Sequence, residues 1–193
     1  FIFFPVWVAF VGSTVSQDYP TFVDLGDGRT AKDVSAGHQH TCAVLDNGSV
    51  SCWGKNDKGQ IAQSSGVSSS NVPVHVEFPE TWKFGAADPE SFEGVSLGEA
   101  FSCALMGNGS AICWGDNTHG QLGDGDATDY NDEAWGWNGY VEFPSDRTAV
   151  SIKSSIEHSC AVLDDSTLTC WGRNDGSQLG VGGTTSHGSP AAT

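Results

Sequence analysis

Six cysteines carry the most reactive chemistry of this 193-residue chain, and they come in pairs. Cys42 and Cys52, Cys103 and Cys113, and Cys160 and Cys170 each flank nine residues. Paired thiols can hold a metal or close a disulfide. Such a gap is much wider than the ligand spacing of structural zinc sites, which leaves the disulfide. Hard-cation chemistry is concentrated in Asp124, Asp126 and Asp129, whose carboxylates are the oxygen ligands Ca²⁺ takes. Their spacing departs from the Asp-x-Asp-x-Asp-Gly calcium loop. The expectation is therefore no cofactor, with Ca²⁺ at these three residues as the alternative. No nucleophile elbow, phosphate-binding loop or pair of catalytic carboxylates occurs. The chemistry on offer is cross-linking and binding, not catalysis.

A β-hairpin is the element that brings such cysteines together. If Asp46-Asn47-Gly48 is a three-residue loop, Leu45 faces Ser49, Val44 faces Val50 and Cys42 faces Cys52. The last loop residue is left-handed, a conformation glycine takes without steric cost. Turn and cysteines thus ask for one register, in which cross-strand Cβ atoms are close enough to bridge. The expected bonds are Cys42–Cys52, Cys103–Cys113 and Cys160–Cys170, each contributing about 2–3 kcal/mol by closing a short loop. Gly109 fills the same loop position in the second hairpin. The third has Ser166 there, where a left-handed backbone costs roughly 1 kcal/mol or more, so a different loop is expected.

Each hairpin belongs to a longer repeat, with Cys42 to Cys103 spanning 61 residues and Cys103 to Cys160 spanning 57. Downstream, Trp53, Asn56 and Gln60 recur in step as Trp114, Asn117 and Gln121, and as Trp171, Asn174 and Gln178. Upstream, Val23 and Arg29-Thr30-Ala31 match Val141 and Arg147-Thr148-Ala149, each valine standing 19 residues before its cysteine. The middle copy starts at Val76 with an 8-residue insertion around 81–91. Recurrence at this period marks a repeat architecture with units 23–75, 76–140 and 141–193. The tryptophans read as packing between units, and the Asn and Gln as loop scaffolding. His40 and His158 are equivalent, but Phe101 takes their place in the second copy, which implies packing rather than proton transfer. His38 and His40 could share a strand face as a metal pair, a pairing no other copy repeats.

Twenty-five glycines, seven tryptophans and no amphipathic helical pattern indicate an all-β fold. A formal charge of −16, from 24 Asp+Glu against 8 Lys+Arg, argues against nucleic acid and anionic membrane surfaces as partners. Residues 1–16 read as a signal-peptide-like leader. Their apolar run, Phe1 to Gly12, falls short of the ~20 residues of a membrane span and fits the ~7–15 of a signal core. No Met or basic stretch precedes Phe1, so the chain is expected to be a piece cut at both ends, with no membrane insertion once the leader is removed. Leader and disulfides together point to an extracellular, cell-surface or periplasmic setting.

The runs Gly-x-x-His-Thr/Ser-x-Ala-Val-Leu and Trp-Gly-x-Asn-x-x-Gly-Gln-Leu-Gly, repeated over residues 23–183, resemble the regulator-of-chromosome-condensation repeat. The resemblance implies a β-propeller of four-stranded blades, usually seven in a ring, of which this chain carries three. The family's nuclear founder is an exchange factor for a small GTPase and binds nucleosomes. Paired cysteines, leader and acidity all depart from that pattern, so exchange activity is the remote alternative and no exchange-active residue carries over. Secreted members, including a β-lactamase inhibitor, imply binding through loops of a ring face. The expected function is a binding or scaffold module for a protein or glycan. The alternative is a calcium-dependent lectin or secreted enzyme using loop 124–140. Tyr130, Trp135, Trp137 and Tyr140 there, and Trp82 in the insertion, are the candidate partner anchors, being large and rigid. Asn47-Gly48-Ser49 and Asn108-Gly109-Ser110 match the glycosylation pattern, although Asn-Gly is also a favoured turn pair.

Overall fold

The computed structural model describes residues 21–64, 66–78, 91–125, 140–144 and 147–190. Strands β1 (Ala31–Ala36), β2 (His40–Leu45), β3 (Val50–Lys55) and β4 (Ser69–His75) form one antiparallel sheet in chain order. A second sheet holds β5 (Phe92–Leu97), β6 (Phe101–Met106) and β7 (Ala111–Gly115), and a third β8 (Ala149–Ser154), β9 (His158–Leu163) and β10 (Leu168–Gly172). Among the described residues, four strands are complete in the first sheet alone. The second and third sheets each show, among the described residues, one further antiparallel bridge, Ile112 to Tyr140 and Gly172 to His187. Ahead of His187 the run Gly182-Gly183-Thr184-Thr185-Ser186 has almost no apolar surface to bury and no alternation, so pairing stops at a bridge. No helix of the described residues is long and apolar enough to cross a membrane.

The hairpins hold the register that their turns require. Cys42 faces Cys52, Cys103 faces Cys113 and Cys160 faces Cys170, and each pair is bonded, with Cα atoms 4.1, 4.0 and 4.0 Å apart. The third hairpin corrects the expectation of a different loop. Ser166 adopts the left-handed conformation at φ 68°, and its N–H bonds the Leu163 carbonyl as Gly48 N–H bonds that of Leu45. Asp165 steadies this loop by accepting from the Thr167 N–H at 3.0 Å and the Thr167 hydroxyl at 2.6 Å. One strained residue is outweighed by a disulfide and a run of cross-strand pairs.

The sheets stack face to face, which is why apolar residues alternate along each strand. Cys42, Val44, Val50 and Cys52 of the first sheet meet Ala104, Met106, Ile112 and Trp114 of the second. The opposite face of the second, Phe101, Cys103, Leu105 and Cys113, meets Ala149, Ile152, Leu163 and Trp171 of the third. On the far face of the third sheet, Val162 and Leu168 are 38% and 60% exposed, whereas the equivalent Val44 and Val50 are fully buried.

One hydrogen bond recurs in step between neighbouring sheets. The indole N–H of Trp114 donates to the Gln60 carbonyl, and that of Trp171 to the Gln121 carbonyl, both at 3.0 Å. The recurrent amides build the acceptor loops. Asn56, Asn117 and Asn174 each take, through Oδ1, the N–H five residues on at 3.1 Å. Gln60, Gln121 and Gln178 take the N–H two residues earlier at 2.8–2.9 Å. Replacing Trp171 by Phe keeps an aromatic ring but leaves the Gln121 carbonyl unpaired. A loss of about 1–2 kcal/mol in chemical denaturation is expected. Trp53→Phe should cost less, because the Trp53 indole has no acceptor among the described residues and is only half-buried.

Candidate binding face

The turns joining first to second strands are tight two-residue loops. Gly37 N–H bonds the His40 carbonyl at 2.9 Å, Gly98 N–H that of Phe101 at 2.9 Å, and Ser155 N–H that of His158 at 2.8 Å. The loops following β3, β7 and β10 lie against the same turns. Lys55 N–H reaches the Gln39 carbonyl, Asp116 N–H that of Ala100, and Arg173 N–H that of Glu157, at 2.8–3.0 Å. All these segments therefore gather at one end of the stack, and the cysteine hairpin tips at the other.

Between the three turns lies a cleft of about 390 Å³, with His38, Leu97, Glu99 and Ile156 among its lining residues. His38 Nδ1 stands 3.7 Å from Glu99 Oε1, and Glu99 N–H donates to the Ile156 carbonyl at 2.9 Å. Ile156 is 63% exposed. An exposed branched aliphatic beside a carboxylate and an imidazole suits a partner side chain with an apolar stem and a polar head.

On the same end, a belt of contacts between titratable side chains crosses from sheet to sheet. Lys58 Nζ lies 3.2 Å from Asp116, and the equivalent His119 lies 3.6 Å from Glu157. Arg173 closes the belt on Glu157 and Asp175, which hold its guanidinium charged, while Arg173 draws the Asp175 carboxyl below its ordinary range. These pairs are partly exposed and contribute geometry more than stability.

The two histidines of the first turn part company. His38 faces the cleft, whereas His40 is 3% exposed between the first and second sheets, so they form no metal pair. The Ser102 hydroxyl donates to the Gln60 carbonyl at 2.8 Å, so it must accept from His40 Nε2, 2.9 Å away. Nδ1 is then unprotonated, buried and without a hydrogen-bond partner among the described residues. Burial pushes the imidazole down to about 4, against a smaller opposing contribution from the Phe101 backbone. His158, less buried, is lowered for the same reason.

Of the aromatic anchors read from the sequence, Tyr140 is described. It is 37% exposed, bridges to Ile112, and burial pushes its phenol up. Tyr130, Trp135, Trp137 and Trp82 fall outside the described residues, as do Asp126, Asp129 and the leader. Asp124 is half-buried. No group of three His, Cys, Asp or Glu side chains among the described residues is placed to hold a metal. The cleft itself had escaped the sequence reading. Its signal is contrast: the frame around positions 38, 99 and 156 repeats, while those positions hold His, Glu and Ile.

A family model described as the regulator of chromosome condensation (RCC1) repeat matches residues 31–60, 92–121 and 149–178. The ultraviolet-B receptor UVR8 of Arabidopsis thaliana is 26% identical over 172 residues, 89% of this chain and 36% of UVR8. Human WBSCR16 aligns with a TM-score of 0.71 at 20% identity, over 88% of this chain and 42% of that one. The ectodomain of the Physcomitrella patens receptor kinase CR4 aligns with a TM-score of 0.51 at 24% identity, over 85% and 36%. The chain thus spans well under half of each of these proteins. Each matched repeat runs from a first strand to the Gln of the loop after the third, and the solved neighbours share the stacked antiparallel sheets. The chain belongs to the RCC1 repeat family and folds as blades of its β-propeller.

Proposed function

We propose that this chain is a binding module working outside the cytosol, which engages a protein or glycan through its turn face and adjoining loops and performs no chemistry itself. The observation that carries this reading is the disulfide inside each of three successive hairpins, at one repeat position. Bonds of this kind persist in oxidising compartments. The net charge of −16 supports a soluble partner surface rather than a polyanion. CR4, whose solved structure is a receptor ectodomain, offers a precedent for the fold outside the cell.

Proteolysis of the native protein without reductant is expected to release three cross-linked peptide pairs, Cys42–Cys52, Cys103–Cys113 and Cys160–Cys170. Free thiols at these positions would overturn the extracellular reading. The face is tested on arrays of extracellular proteins and glycans. Ile156→Asp changes an exposed side chain, so it should fold normally and lose at least tenfold in affinity for the array hits. Unchanged binding by a folded Ile156→Asp protein would remove the cleft from the function.

A further inference from the structure

We propose that Asn47 and Asn108 are N-glycosylation sites, which put sugar on the hairpin-tip face and leave the turn face free. The inference rests on the extracellular reading, since the transferring enzymes work in the secretory pathway. Both residues are exposed at loop tips. Both are followed by glycine and then serine, and no other asparagine in the sequence has Ser or Thr two residues on.

The tips show what each side chain does for the fold. Asn47 Oδ1 accepts from the Ser49 N–H at 3.1 Å and from the Ser49 hydroxyl at 2.7 Å. Asn108 Oδ1 accepts from the Ser110 N–H at 2.9 Å. The loop uses the amide oxygen, while neither amide nitrogen has a partner among the described residues. The third tip is an internal control. Asp165 makes the same bonds to Thr167, so a carboxylate serves this turn and the nitrogen is surplus to it. Asparagine at the other two tips therefore supplies a reactive group that the turn does not require.

In the transfer, the amide nitrogen attacks the anomeric carbon of an oligosaccharide carried on a polyprenyl diphosphate. A C–N bond forms, the C–O bond to the diphosphate breaks, and an amide proton leaves to a base of the transferase. The lipid diphosphate is released, and nothing is oxidised or reduced.

Placement gives the modification a consequence. β2 runs from the turn face at His40 to the tip face at Leu45, and β6 likewise from Phe101 to Met106. Six extended residues span roughly 20 Å. Sugar on both tips would shield one end of the stack from contact and restrict a macromolecular partner to the end that carries the cleft.

The test expresses the full chain in the endoplasmic reticulum of a eukaryotic cell. Two mobility steps removable by peptide N-glycosidase are expected, with Asn47→Gln and Asn108→Gln each removing one. Asp165→Asn, which completes an acceptor with Thr167, should add a third. Disulfide mapping on the same sample separates the two readings. Oxidised protein without sugar overturns this proposal and leaves the extracellular reading intact, whereas reduced protein without sugar overturns both. Sugar on the Asp165→Asn variant at residue 165 alone also overturns it, because the transferase would then have reached a tip and passed over the native ones.

Discussion

Acidification from pH 7 to pH 4 should remove about 3 kcal/mol of folding stability through one side chain, His40, and His40→Phe should abolish most of that loss. The folded imidazole titrates at about 4, against 6.5 for the free side chain. That gap of about 2.5 pH units corresponds to roughly 3 kcal/mol. The direction follows from proton counting. At pH 5 the unfolded chain has bound a proton at His40 and the folded chain has not, so stability rises with pH there. The contribution is complete above pH 6.5, declines as the pH falls from there towards 4, and is absent below both values. Carboxylates such as Asp175, drawn down by Arg173, lose their contributions only in more acid solution, which leaves the His40 window distinct. The cause is structural. A protonated imidazole would carry its charge out of water between two sheets, a cost that the hydrogen bond to the Phe101 backbone only partly offsets. Phenylalanine is the replacement chosen by the protein itself, since Phe101 occupies the equivalent place in the second sheet, fully buried. Denaturant midpoints at pH 7, 6, 5 and 4.5 would show a steep decline for the native chain and a shallow one for His40→Phe, the remainder reflecting half-buried His158. Parallel declines would mean that protonation at this interface is tolerated and that the assigned tautomer is wrong.

What could be read from the sequence was whatever the repeat states three times. The hairpin register follows from loop length and a left-handed residue, and it sets each cysteine opposite its mate. Trp114 and Trp171 were legible as packing between units, and their indole bonds to Gln60 and Gln121 explain why tryptophan recurs rather than phenylalanine. Position 40 was legible as a packing site because Phe101 replaces it. Its polar role was not, since Ser102 stands 62 residues away and owes its place to the stacking of whole sheets. Ser166 misled the reading, because the local cost of one left-handed serine was weighed without the cross-strand pairs that fix its loop. The cleft was hidden for the opposite reason: His38, Glu99 and Ile156 share no chemical type, and only superposition of the repeats brings them to one place. The place beside β10 depends on a segment whose sequence carries no alternation, so its reduction to a single bridge at His187 could not be anticipated.

Gly109→Ser should cost about 3–4 kcal/mol, whereas Ser166→Gly should return only about 1. Both residues end a cysteine-hairpin loop, with φ at 80° and 68°. Backbone strain alone, about 1–2 kcal/mol for a non-glycine residue in this conformation, would make the two substitutions near mirror images. Packing breaks that symmetry. A Cβ on Gly109 would lie 2.6 Å from the Thr148 Cβ and 3.1 Å from the Ala149 carbonyl, distances that require the third sheet to move. The Gly109 carbonyl also accepts the Ala149 N–H at 2.8 Å, so the loop cannot retreat without breaking a bond between sheets. Overpacking of this kind adds roughly 1–3 kcal/mol. Gly48 meets Ser91 in the same way, at 2.8 Å, so the close approach is a property of the stack rather than of one site. Urea denaturation of the two variants measures the difference, and quenching of Trp171 fluorescence by a neutral quencher reports whether the second and third sheets have parted. If Gly109→Ser costs no more than Ser166→Gly returns, the hairpin tips do not abut the following sheet. The stacking inferred for these blades would then be too tight, and the His40 prediction, which depends on the same close contact between neighbours, would weaken with it.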